Sequence, residues 1–145
     1  MNYTVEVFTD GSKSNSEVGS GIAIFIDQEL AHQMQFKLHG QCSNNQAEQI
    51  AILKALEKIS TIDNLQDKQK SAIIHTDSLI TLDSLRNPNN HKNIIETIRK
   101  QARKMKEQRW TIHYTWVKAH VGIAGNELAD KLAKRAARNE DLEVC

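Results

Sequence analysis

Polar and apolar residues alternate through the first third of the chain. Tyr3, Val5 and Val7 alternate with Thr4 and Glu6, Ile22, Ile24 and Ile26 repeat the pattern, and Met34, Phe36 and Leu38 alternate with Gln33, Gln35 and Lys37. A period of two predicts three consecutive strands, with Asp27–Glu29 short enough for a hairpin turn. The period then changes. Ile52, Leu56 and Ile59 lie at i, i+4 and i+7 and predict a helix from about Ser43, which has capping-box spacing to Gln46. Ala72-Ile73-Ile74 predicts a short fourth strand ending at Thr76-Asp77. Ile94, Ile98, Ala102 and Met105 mark a helical stripe. Ile112, Tyr114 and Trp116 predict a fifth strand, and Leu128, Ala129, Leu132, Ala133 and Ala136 a last amphipathic helix. The only proline, Pro88, falls in Arg86–Asn90, a loop between two helices. The predicted order is βββαβααβα, a mixed α/β fold with a five-stranded mixed sheet flanked by helices.

With 145 residues, 39% of them apolar and 26% charged, one domain over 1–145 with a single core is expected. No repeat or Pro/Gly-rich linker interrupts it. The two cysteines, Cys42 and Cys145, make no disulfide framework and suit a reducing compartment, cytoplasmic or nuclear. No apolar run is long enough for a signal peptide or a membrane span, so no membrane partner is expected. The net charge of +1 does not itself point to a polyanion, but its distribution is uneven. Arg99, Lys100, Arg103, Lys104, Lys106 and Arg109 face a single nearby acid, Glu107, and Lys131, Lys134, Arg135 and Arg138 form a second group. Taken alone, such a group reads first as a solvated helix face; the sharper reading is a surface that follows phosphates.

Four acids occupy telling places. Asp10 is expected to end strand one, Glu48 lies in the first turns of the first helix, Asp77 follows strand four, and Asp130 lies in the last helix. Taken singly, each is explained as a cap or turn residue; Asp77 could simply cap the helix that starts at Ser78. Taken together, they sit where α/β folds build sites. Carboxylates about 5 Å apart repel by roughly 3 kcal/mol per pair at an effective dielectric near 20, so a cluster calls for cations. An all-oxygen donor set selects Mg²⁺, or Mn²⁺ in its place, over zinc, and no Cys/His pairs have zinc spacing.

Four segments resemble the type 1 ribonuclease H family: Phe8-Thr9-Asp10-Gly11-Ser12, Ser43-Asn44-Asn45-Gln46-Ala47-Glu48, His75-Thr76-Asp77-Ser78, and Trp116 through Asp130 with His120 and Asn126 inside it. The similarity runs from about Val5 to Ala137, and its motif style is closest to ribonuclease H domains of retrotransposon and retroviral reverse transcriptases. It implies endonucleolytic cleavage of the RNA strand of RNA–DNA hybrids with two Mg²⁺ ions, leaving 5′-phosphate and 3′-hydroxyl ends. It also implies Asp10, Glu48, Asp77 and Asp130 as metal-binding and catalytic acids. Asp10 would bridge both ions, Glu48 and Asp77 would share the one on the leaving-group side, and Asp130 would hold the one that activates water. His120 would sit on a mobile loop and shuttle a proton or assist product release. Asn44, Asn45 and Gln46 would read the minor groove, Ser43 would sit near a phosphate of the DNA strand, and Gly11, Ser12, Ser78 and Asn126 would also lie beside the substrate.

The chain lacks the basic, tryptophan-bearing insertion that grips the hybrid in some members. The basic segment Arg99–Arg109 is expected to substitute in part, with weak, salt-sensitive binding by a monomeric domain. The same residues fit a free-standing enzyme or a domain of a reverse transcriptase polyprotein. The alternative function is a catalytically weak module that only binds or tethers nucleic acid.

Overall fold

The computed structural model describes residues 3–90, 92–118 and 124–140. Three antiparallel strands open it: β1 (Val5–Ser14), β2 (Glu17–Ile26) and β3 (Glu29–Leu38). The β2–β3 turn is Asp27-Gln28, and both residues have positive φ, 49° and 70°. That is the backbone of a two-residue turn whose twist matches the strands it joins. After α1 (Asn44–Ser60) and a single 3-10 turn come β4 (Ser71–Thr76), α2 (Leu79–Arg86), α3 (Asn93–Glu107), β5 (Thr111–Trp116) and α4 (Ala124–Arg138). The predicted element order stands.

The strands form one sheet in the order β3-β2-β1-β4-β5, with β4 parallel to β1 and β5 parallel to β4. Because side chains alternate across a strand, β1 serves two layers. Val5 and Val7 join Ile22, Ile24, Ile74 and the apolar stripes of α1 and α3 in the larger core. Phe8 points the other way and packs with Ala23 and with Ala129 of α4. The helix stripes expected from periodicity are buried at Ile52, Leu56, Ile59, Ile98 and Met105, and Ile95 joins them.

One expectation is corrected. Asp10 does not end strand one: β1 continues to Ser14, paired with β2 through Asp10↔Gly21 and on to Ser14↔Glu17. The apolar alternation stops at Phe8 because no second strand flanks β1 beyond Thr9, whereas the hairpin hydrogen bonds continue without needing apolar side chains. Asp10 still marks a boundary, since pairing with β4 ends at Thr9↔Thr76.

Helix α4 lies unusually close to β2. A methyl on Gly21 would collide with the Ala129 carbonyl and the Ala133 amide, and one on Gly19 with the backbone of Ala133 and Ala137. Glycine in the strand and alanine on the helix thus let two backbones touch. In a compatible site, Gly→Ala stabilises by about 0.4–1 kcal/mol through the unfolded chain. Here the sign should reverse: Gly21→Ala should cost about 1–3 kcal/mol from overpacking, read by urea denaturation. A neutral or stabilising result would contradict this packing.

Candidate active site

Parallel, in-register pairing carries β1 and β4 to the same end of the sheet, and the first residue beyond that pairing is an acid on each, Asp10 and Asp77. Carboxyl ends of parallel strands are where open α/β sheets place their sites. The third acid comes from α1. Ser43 caps that helix, its Oγ accepting from the Gln46 amide at 3.0 Å while the Gln46 side chain accepts from the Ser43 amide at 2.8 Å. This fixes the start of α1 so that Glu48 turns toward the sheet. Gly11 lets it come close, because a Cβ there would lie 2.7 Å from the Glu48 amide nitrogen and 2.8 Å from the Ala47 Cβ. Ser20 Oγ donates to the Ala47 carbonyl at 2.7 Å and ties β2 to the same turn.

The result is a cluster in which one oxygen each from Asp10, Glu48 and Asp77 lies within 4.8 Å of the others. Asp130, from α4, lines the same cavity of about 300 Å³, together with Gly11, Asn44 and Ser78. It stands outside the tight trio, and its Oδ2 pairs with Lys134 Nζ at 2.9 Å. All four sequence-predicted acids therefore meet at one cavity.

Asp10 and Glu48 are buried, at 5% and 4% exposure, so ionising them is costly. Burial, then the charge of Asp77, pushes Asp10 up to about 7; burial, then Asp10 and Asp77, pushes Glu48 up to about 10. The Gly11 amide donates to Asp10 Oδ1 at 2.9 Å, whereas Glu48 Oε2 is buried without a hydrogen-bond partner among the described residues. A buried, unpaired carboxylate oxygen facing two more acids fits the vicinity of a cation. With only oxygen donors, the fit is to a hard divalent ion.

The remaining candidates are placed as follows. Ser78, not Asp77, caps α2: its Oγ accepts from the Thr81 amide at 3.2 Å and donates to Thr81 Oγ1 at 2.9 Å. Ser43, Asn45 and Gln46 line an adjoining groove of about 690 Å³ with Ile80, Ser84 and Lys92. Ser12 is half-buried in β1 opposite Gly19 and lines neither cavity. Asn126 is buried in the first turn of α4, its Oδ1 without a partner among the described residues, and does not line the acid-lined cavity. His120 lies outside the described residues.

The basic segment Arg99–Arg109 is smaller as a phosphate surface than its composition implied. Arg99 donates to Glu96 and to the carbonyls of Ser84, Leu85, Asn87 and Asn90, so it closes the C-terminal end of α2 and the following loop. Arg109 lies past the end of α3 and pairs with Asp67 at 2.8 Å. Lys100, Arg103, Lys104 and Lys106 remain on its exposed face. Sequence reasoning also missed three supports: the close approach at Gly11, the Ser20 tie, and the Trp116 indole, which donates to the Asp77 carbonyl at 3.2 Å. The adjacent Asp10-Gly11 pair carried a trace of the first; the other two depend on tertiary contacts.

The family model for RNase H matches residues 2–138. A ribonuclease H of Actinobacillus succinogenes is 29% identical, over 99% of this chain and 96% of its own. One from Actinobacillus pleuropneumoniae is 31% identical, over 96% and 94%. Among solved structures, RNase H1 of Halobacterium salinarum superposes with a TM-score of 0.70 at 23% identity, over 91% of this chain and 96% of that one. The foamy viral protease-reverse transcriptase in complex with RNA/DNA hybrid gives 0.73 at 22%, over 94% of this chain and 20% of that one. At that identity the viral match shows the fold alone. The curated relatives are bacterial ribonucleases H, so they give the expected retrotransposon or reverse transcriptase setting no support.

The acid cluster makes metal-free stability pH-dependent. Asp10 has an ordinary value of 3.8 and is held near 7 in the fold, so the folded chain keeps a proton that the unfolded chain releases between those values. That contribution is complete below pH 4 and is lost as pH rises through 7; Glu48 extends the loss upward. In chelator, the melting temperature should therefore fall across this window, and less steeply in Asp10→Asn. At pH 8, Asp77→Asn should raise the chelator melting temperature by about 3 °C for each kcal/mol of repulsion relieved. A lower melting temperature for that variant would count against the cluster.

Proposed function

The chain belongs to the RNase H family, and on that footing we propose that it cuts the RNA strand of RNA–DNA hybrids at the Asp10/Glu48/Asp77/Asp130 cavity with two bound Mg²⁺ ions, Mn²⁺ serving in their place. The observation that carries this reading is the convergence of three carboxylate oxygens within 4.8 Å, with Asp130 on the same cavity. Asp10, Glu48 and Asp77 would hold one ion, and Asp10 and Asp130 the other. When bound, such a pair supplies a hydroxide-like nucleophile at neutral pH and offsets charge on the leaving oxygen, giving 5′-phosphate and 3′-hydroxyl products.

The chain's own residues supply placement. The Gly11 amide orients Asp10, and the Trp116 indole holds the backbone at Asp77. Asn44 reaches the catalytic cavity while Asn45 and Gln46 line the groove beside it, so side-chain amides run from the cut site along one face. Amides there can recognise 2′-hydroxyls across a minor groove, which separates RNA from DNA. Ser43 and Gln46 spend part of their hydrogen-bonding capacity on the cap, leaving Asn44 and Asn45 as the main readers. Residues 1–145 would act as one monomeric domain inside the cell; no helix among the described residues is long and apolar enough to cross a membrane. A tether without activity would be expected to lack one of the acids, and all of them are in place.

A hybrid, a DNA duplex and an RNA duplex, each incubated with Mg²⁺, test this directly. Only the RNA of the hybrid should be cut; DNA cut as readily would overturn the reading. Asp77→Asn should bring cleavage to background with the fold intact by circular dichroism. His120→Ala should slow turnover without abolishing it, and complete inactivity would mean that its role is different.

A further inference from the structure

The second basic group of the sequence has no part in the chemistry above. Lys131, Lys134, Arg135 and Arg138 sit at i, i+3, i+4 and i+7 on α4, so they form one stripe, and all four are exposed. They line a shallow depression of about 580 Å³ whose wall also includes Asp130. Asp130 lines the catalytic cavity as well, so the basic depression begins where that cavity ends. Lys134 bonds to Asp130, but Lys131, Arg135 and Arg138 pair with no carboxylate among the described residues.

Helix electrostatics explain only part of this. Cations in a last helical turn gain about 0.3–1 kcal/mol from the macrodipole, which accounts for Arg135 and Arg138. Lys131 lies in the middle of the helix, outside the range of that effect. The stripe spans about 10 Å at 1.5 Å per residue. Phosphates of one strand advance about 3.4 Å each along a duplex axis, so the stripe matches about three of them. It lies on the opposite face of the sheet from α3, because Ala129 of α4 packs on Phe8 while α3 shares the other core with α1, Val5 and Val7.

Resting on the nuclease reading, we propose that the exposed α4 stripe is a second phosphate-backbone site, holding the nucleic-acid strand where it leaves the catalytic cavity. The site recognises charge and spacing, not sequence. It lengthens the footprint of an enzyme whose α3 surface is reduced by the structural use of Arg99.

The test is a triple variant, Lys131→Gln, Arg135→Gln and Arg138→Gln, with Lys134 left beside Asp130. Binding of a labelled hybrid of about two helical turns is read by anisotropy in Ca²⁺ across a salt series. The slope of log K against log salt should flatten by about 0.9 for each lost contact, with more than about tenfold weaker binding at low salt. The melting temperature should hold. Equal slopes for variant and wild type would overturn the proposal. So would a lower melting temperature with unchanged binding, which would assign these cations to the chain's own acids. Wild-type cleavage in Mg²⁺ is scored separately: its absence with the difference in slope intact would remove the nuclease reading and leave the stripe standing.

Discussion

Carboxylates do not gather in a buried pocket without something to hold them there. At 4.8 Å and an effective dielectric near 20, each ionised pair among Asp10, Glu48 and Asp77 repels by roughly 3 kcal/mol, and burial of two of them adds to the cost. The rest of the fold is arranged so that this cost is met. In-register parallel pairing delivers Asp10 and Asp77 together, Gly11 admits the α1 turn that bears Glu48, and Gly19 and Gly21 admit the helix that bears Asp130. Each of these contacts brings main chains close together, so the fold fixes the backbone positions from which the acids project. A rigid, unfavourable charge cluster is a site prepared for cations.

Much of this was legible in the residue pattern. Alternation at Val5/Val7, Ile22/Ile24 and Ile112/Tyr114, and the helical stripes at Ile52/Leu56/Ile59 and Ile98/Met105, predicted the elements because burial on one face imposes the period. Asp10, Glu48 and Asp77 stood out because they fell at the expected ends or starts of those elements, and Asp130, inside the last helix, because it closes the segment that begins at Trp116. The extent of β1 beyond Asp10 was not legible, since a hairpin paired on one side only needs no apolar alternation. The work of Arg99 was also hidden: a basic run looks uniform in sequence, and only the fold brings four carbonyls and Glu96 around one guanidinium. Likewise, nothing in the sequence marked Asn126, expected beside the substrate, as buried.

Capping and the proposed recognition share residues at the start of α1. The Ser43/Gln46 box fixes the helix that carries Glu48, and the same turn presents Asn44 to the catalytic cavity and Asn45 to the groove beside it. On the proposed reading, position and recognition are thereby coupled: a substrate edge held by these amides would sit at a fixed offset from the acids. The Trp116 indole makes a comparable link on the far side, joining the end of β5 to the backbone at Asp77.

The account turns on whether divalent ions occupy this cluster. Crystals of the protein soaked in Mn²⁺ and measured at the manganese absorption edge answer that without reference to activity. The prediction is anomalous density within about 2.0–2.6 Å of carboxylate oxygens of Asp10, Glu48 and Asp77, with a second peak beside Asp130 once substrate is bound. Manganese bound elsewhere, with this cavity empty at saturating ion, would contradict it.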